Sequence, residues 1–82
     1  MALDDVRQSA ASGVRNAESQ LALAQREAER TETLVKAGAL AARELDLVRS
    51  NVTAVEAQLV DAKSRLASAE RQLGDAVVRA PI

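Results

Sequence analysis

Ten positions of this chain, spaced alternately three and four residues apart, are apolar without exception: Leu45, Val48, Val52, Val55, Leu59, Ala62, Leu66, Ala69, Leu73 and Ala76. Apolar residues that recur every 3.5 positions keep one stripe of an α-helix turned towards a partner, so this half of the chain is written to lie along another helix. The first half supplies a weaker seam with the same rhythm, Leu3, Ala10, Val14, Ala17, Leu21, Ala24, Ala28, Thr31 and Val35, interrupted by Arg7. Its small residues permit close approach but contribute little area. At about 25 cal/mol per Å2 of apolar surface buried, an alanine-rich stripe against a leucine and valine stripe gives a modest core.

The two seams are separated by Lys36-Ala37-Gly38, a cation in a last helical turn followed by a glycine for the left-handed conformation that ends helices. Ala39 and Leu40 carry the turn, and Glu44 and Asp46 favour the positive end of the next helix dipole. So short a connection makes the helices antiparallel. The pattern therefore predicts an all-α fold, a long antiparallel two-helix coiled-coil hairpin over 1–76, with helix one at about 5–37, a bend at 38–42 and helix two at about 42–76. Asp5 and Gln8 have the spacing of a capping box at the start, and Gly13 predicts fraying or a bend. Roughly 33 residues per helix correspond to a rod about 50 Å long. Beyond the seam, Val77-Val78-Arg79-Ala80-Pro81-Ile82 reads as the opening of a strand, cut short at 82. A strand with no partner suggests a piece of something larger.

Composition removes most chemistry. With no cysteine and no histidine, the commonest metal frameworks and the thiolate and imidazole nucleophiles are absent. The absence of Phe, Tyr and Trp leaves nothing for bases to stack on and no aromatic wall for a pocket. Eleven basic and twelve acidic residues are scattered, without a nucleic-acid patch. No catalytic residue, cofactor site or metal site is expected, and no nucleic-acid partner. Glu44 and Asp46, two apart on a helix, point in different directions and do not form a catalytic pair. Asn51-Val52-Thr53 matches a glycosylation triplet but falls inside a helix. Glu32 with Lys36 and Asp61 with Arg65 are acid-then-base pairs at four-residue spacing, each worth a few tenths of a kcal/mol on an exposed helix.

The bend GALAARELD and the tail VVRAPI, at their separation here, resemble periplasmic adaptor proteins, the membrane fusion proteins of tripartite efflux pumps, over roughly Val14 to Ile82. The resemblance implies a hairpin inserted between the halves of a lipoyl-like β-domain, with 77–82 as the start of a lipoyl-domain strand. The distance from bend to Pro81 is similar to that in adaptors of resistance-nodulation-division (RND) pumps. By implication the protein is periplasmic, with the full-length form anchored to the inner membrane. Its partners would be an inner-membrane transporter, reached through other domains, a TolC-type outer-membrane channel met by the hairpin tip, and copies of itself, hexameric when full-length.

Family tips carry an Arg, a Leu four residues on and a Ser seven after that; here Arg30 and Leu34 fill the first two places and Ala41 stands at the third. The resemblance thus implies channel contact through Arg30, Leu34, Leu40 and Ala41. Side-by-side packing of hairpins in a funnel would use Leu23, Glu27 and Leu47, with Arg30 and Leu34 on the same stripe. From spacing alone, Arg30 and Leu34 read rather as a solvated arginine and a half-buried leucine, and Leu23 and Leu47 as singly exposed leucines. Leu40 either folds back on Leu34 or awaits a partner. A free-standing cytosolic coiled coil, dimerising into a four-helix bundle, is the alternative that composition leaves open; the strand-like tail counts against it.

Overall fold

The computed structural model describes residues 2–78, with side-chain surroundings for residues 2–75. Two helices, α1 (Ala2–Lys36) and α2 (Ala42–Val78), pack against each other along a rod of 69 × 14 × 12 Å. The rod exceeds the expected 50 Å partly because the helices have 35 and 37 residues and partly because the connection adds length at the tip. No strand occurs among the described residues.

Each seam faces the other helix. On α2 the nine seam positions from Leu45 to Leu73 are buried or half-buried, and on α1 only Leu3, in the first turn, is exposed. The buried residues form a regular subset: Ala17, Ala24 and Thr31 on α1 are seven apart, and Val55 and Ala69 on α2 are fourteen apart. These are one of the two alternating seam positions, and on α1, from Ala10 onward, they hold only Ala and Thr. Small side chains there let the backbones close, whereas the leucines of α2 occupy the other seam position and stay half-buried. No large side chain is fully buried among the described residues. Two helices can cover only one stripe of each other, so the core is a line and not a volume.

The helix ends follow local chemistry. Gly38 has φ of 79°. Its N–H donates to the Val35 carbonyl at 3.0 Å and the Ala39 N–H to the Leu34 carbonyl at 2.9 Å, the pair of bonds of a Schellman motif. At the other end the expected capping box is not formed. The helix begins at Ala2, three residues earlier than expected, and Gln8 donates to the Asp4 carboxylate at 3.2 Å. Asp4 also takes Arg7, at 3.1 Å, which explains how a cation is accommodated on the seam: its guanidinium reaches back to the acidic first turn.

Two further expectations need correction. Gly13 does not fray α1, which runs unbroken through it, because one glycine costs about 1 kcal/mol against many neighbouring hydrogen bonds. Val77 and Val78 belong to α2 and do not open a strand. With no neighbouring strand, a helix satisfies their backbone groups locally, and that outweighs their β preference. The other strand residues, Arg79, Ala80, Pro81 and Ile82, lie outside the described residues.

The two glycines differ in what a methyl group would meet. Gly13 is helical with nothing within 4 Å of an added Cβ, so Gly13→Ala is expected to stabilise by about 0.5–1 kcal/mol. Gly38→Ala places a side chain at positive φ and is expected to destabilise by about 1–2 kcal/mol. Thermal unfolding followed by circular dichroism checks both; a fall in Tm for Gly13→Ala or none for Gly38→Ala contradicts this account.

Candidate functional site: the hairpin tip and its flanks

The tip is organised by one carbonyl. Leu34 accepts from the N–H of Ala39 at 2.9 Å and from that of Leu40 at 3.3 Å, which draws the chain back over the end of α1. Leu40 therefore folds back through its backbone, while its side chain remains 39% exposed and that of Leu34 37%. Ala41 precedes α2 as its N-cap. It offers only its carbonyl, 3.0 Å from the Glu44 N–H, and no side-chain acceptor for the free amides of the first turn. Ala41→Ser supplies that acceptor and is expected to stabilise by about 1 kcal/mol. Chemical denaturation checks this, and an unchanged midpoint contradicts it.

Below the tip the rod has two unlike flanks. The larger of two grooves, about 700 Å3, is lined from α1 by Ala10, Gly13, Ala17 and Gln20 among others, and from α2 by Gln58, Asp61, Ala62 and Arg65. It exists because small seam residues leave space between the helices there. In a coiled coil, steps of seven return to the same side. Arg30 lies two such steps after Asn16 of the groove, Glu27 and Leu34 one and two steps after Gln20, Leu23 one step after Asn16, and Leu47 two steps before Asp61. All five residues thus continue the groove-bearing flank towards the tip, where Leu23 is 62% and Leu47 56% exposed. Arg30 is paired with Glu27 at 3.2 Å, both side chains in solvent. Such an exposed pair is worth little, about 0–1 kcal/mol, and does not hold the guanidinium away from a partner.

The opposite flank carries the smaller groove, lined by Gln25, Ala28, Glu29, Arg49, Val52 and Thr53. It is the charged side near the tip. Glu32 bonds Lys36 at 3.1 Å and reaches Arg49 of α2 at 3.9 Å, an ion pair across the two helices that helical spacing alone did not reveal. The Lys36 hydrogen bond and charge lower the pKa of the Glu32 carboxyl against an opposing effect of burial, and Arg49 adds the smallest contribution, also lowering it. The expected Asp61–Arg65 pair is also made, at 2.9 Å. Thr53, in the middle of α2, donates to the Arg49 carbonyl at 3.2 Å, so the glycosylation-like triplet is ordinary helix. Among the described residues no three His, Cys, Asp or Glu side chains converge as metal ligands do.

Sequence reasoning passed over Val60, which is 65% exposed, more than any other large apolar side chain among the described residues. Its signal was present: like Leu47, it is a large apolar residue of α2 that falls off an otherwise complete seam. It sits one step of seven after Thr53 and therefore on the charged flank.

The fold is thus a long, thin antiparallel helical hairpin with partly exposed leucines at its tip and two distinct flanks. The chain belongs to the membrane fusion proteins of RND efflux systems, as their α-helical hairpin domain, whose family model matches residues 6–75. That family consists of periplasmic, membrane-associated adaptors that work with an outer-membrane channel and an inner-membrane transporter, and it is not enzymatic. No curated protein and no solved structure matches the chain at a significant level.

Because the Glu32 carboxyl is held below its ordinary pKa, its ion pairs stabilise the hairpin above that ordinary value, and this contribution is lost as pH falls through the lower, folded value. Glu32→Gln is therefore expected to lose less stability than the parent between neutral pH and acid below the ordinary carboxylate range. Urea midpoints across pH 7 to about 3 compare the two; equal loss in both means that the Glu32 ion pairs contribute nothing.

Proposed function

We propose that this hairpin links an inner-membrane efflux transporter to a TolC-type outer-membrane channel, meeting the channel with its tip and neighbouring hairpins with its flanks. The family match over residues 6–75 is the observation that carries the reading. The tip adds support: Leu34 and Leu40, each more than a third exposed, stand at the end of a rod where folding provides them no further cover. Arg30 lies one helical turn before Leu34 on the same side, so a partner that caps the tip meets a cation and an apolar group together.

Chemically the hairpin does nothing, and its mechanism is steric. A stiff antiparallel pair sets the distance between the membranes' machinery, Arg30, Leu34, Leu40 and Ala41 present the docking end, and Leu23, Glu27 and Leu47 lie along a lateral contact in a hexameric funnel. Ala41 brings no hydroxyl to the channel, so docking relies on the Arg30 guanidinium, backbone groups and the two leucines.

Arg30→Asp and Leu34→Asp are expected to weaken capture of a TolC-type channel by roughly tenfold or more each, the scale of interface anchor residues. Both change exposed or half-exposed side chains, so helix content by circular dichroism is expected to stay the same. Pull-down and binding isotherms with the purified channel measure the effect. Unchanged capture by both variants sinks the tip assignment.

A further inference from the structure

The bend interrupts the helix but not the seven-residue rhythm. Ala24 and Thr31 of the α1 seam continue in steps of seven through Gly38 to Leu45 and Val52, which belong to the seam of α2. The second line of the α2 seam, Val48 and Val55, runs backwards in the same steps through Ala41 to Leu34, and that of α1, Ala28 and Val35, runs forwards to Ala42. Both second lines are therefore apolar across the bend, and a stripe on an uninterrupted helix passes there from one to the other. Such a passage is a shift of three residues in the repeat, which coiled coils absorb by local overwinding. A hairpin needs no such continuity, because a turn brings its two seams together.

Little holds the turn itself. From Ala37 to Ala42 every residue but Gly38 is Ala or Leu, the strongest helix formers. Nothing lies within 4 Å of a Cβ added to Gly38, so no close packing requires the glycine. The turn is made of main-chain bonds to the Val35 and Leu34 carbonyls, and Ala41 gives α2 no side-chain cap. An uninterrupted helix replaces these bonds with its own. The packing is centred on the same place: Ala17 and Ala62 line one groove, Ala28 and Val52 the other, and each pair lies symmetrically about Ala39 and Leu40. Two uninterrupted helices laid antiparallel about that centre reproduce the contacts of α1 with α2, the Glu32–Arg49 pair included, with one member from each copy.

We infer that this chain has a second fold, an antiparallel two-chain rod in which each copy is one helix and α1 of one packs on α2 of the other. The contact is isologous and closes at two copies. The hairpin forms without the entropic cost of association, so concentration and the chemistry of the bend decide between the two. Leu34 and Ala41, at the tip of the hairpin, join the seam of the rod, which has no tip. Exchange of arms therefore withdraws the docking end from use. That consequence rests on the proposed function; the second fold does not.

Two substitutions at the bend push the forms in opposite directions. Gly38→Ala removes the residue that the turn needs and a helix resists, and is expected to tighten dimerisation at least a hundredfold, measured by sedimentation of chains refolded from urea at high concentration. The loss of Tm expected for this variant is that of the dilute monomer. Ala41→Ser caps α2 only in the hairpin, and added to Gly38→Ala it is expected to weaken dimerisation at least tenfold. Exchange is read from cysteines, of which the chain has none. Ala24 and Val55 are buried, and one step of seven towards the tip from Ala17 and Ala62 sets them face to face. Single Ala24→Cys and Val55→Cys chains, unfolded and refolded together at high concentration, are expected to form the mixed 24–55 disulfide, several-fold more of it when both carry Gly38→Ala. In a pair of hairpins each thiol is enclosed in its own chain and the two do not meet. Absence of that disulfide without Gly38→Ala, or a Gly38→Ala dimer that forms without it, overturns the second fold. Length needs no cysteine: small-angle scattering of the Gly38→Ala dimer is expected to show a rod of about 115 Å, at 1.5 Å per residue over 2–78, against 69 Å for the hairpin. A monomer at high concentration, or a dimer no longer than the hairpin, also overturns it. None of these outcomes bears on channel capture by the dilute hairpin, which the tip variants test separately.

Discussion

Everything in this molecule depends on how closely two helices can approach when one of them presents alanine. Ala17, Ala24 and Thr31 place no more than a few atoms between α1 and its partner, and these positions, with Val55 and Ala69, are where water is excluded. Larger residues there would push the helices apart and trade one line of close contact for looser cover. The leucines of α2 accept half-burial as a consequence. With no large side chain fully enclosed among the described residues, the rod is held by helical hydrogen bonding and a continuous seam, not by a packed interior.

The tip shows the same economy of parts. One carbonyl, that of Leu34, and one positive-φ glycine turn the chain, and no side chain is needed to hold the turn. Leu40 and Leu34 are thereby left partly in water by the geometry of the turn itself. Glu32, between Lys36 and Arg49, adds an ion pair across the helices just below, on the flank away from the exposed leucines. An end that is fixed in backbone and open in side chains suits a member of a family that works by contact with a channel.

Two unlike flanks follow from antiparallel packing of two differently written helices. Where α1 carries Ala10, Gly13 and Ala17 the interface opens into a groove on one side only, and where α2 carries Val60 an apolar group stands out on the other.

Much of this was written in the sequence, because helical periodicity and helix termination are local. The seams, the stop at Gly38, the antiparallel course, the two acid-base pairs on single helices and the exposure of Leu23 and Leu47 are all legible from spacing. What spacing does not contain is the register of one helix against the other. That register alone makes the Glu32–Arg49 pair and opens the groove between Gly13 and Ala62. Local preference also misled at both ends: Gln8 chose the Asp4 carboxylate over a capping box, and Val77 and Val78 continued the helix. In each case the competing partner was decided in three dimensions, by what the backbone and side chains found within reach, and β preference has no force where no neighbouring strand stands to receive it.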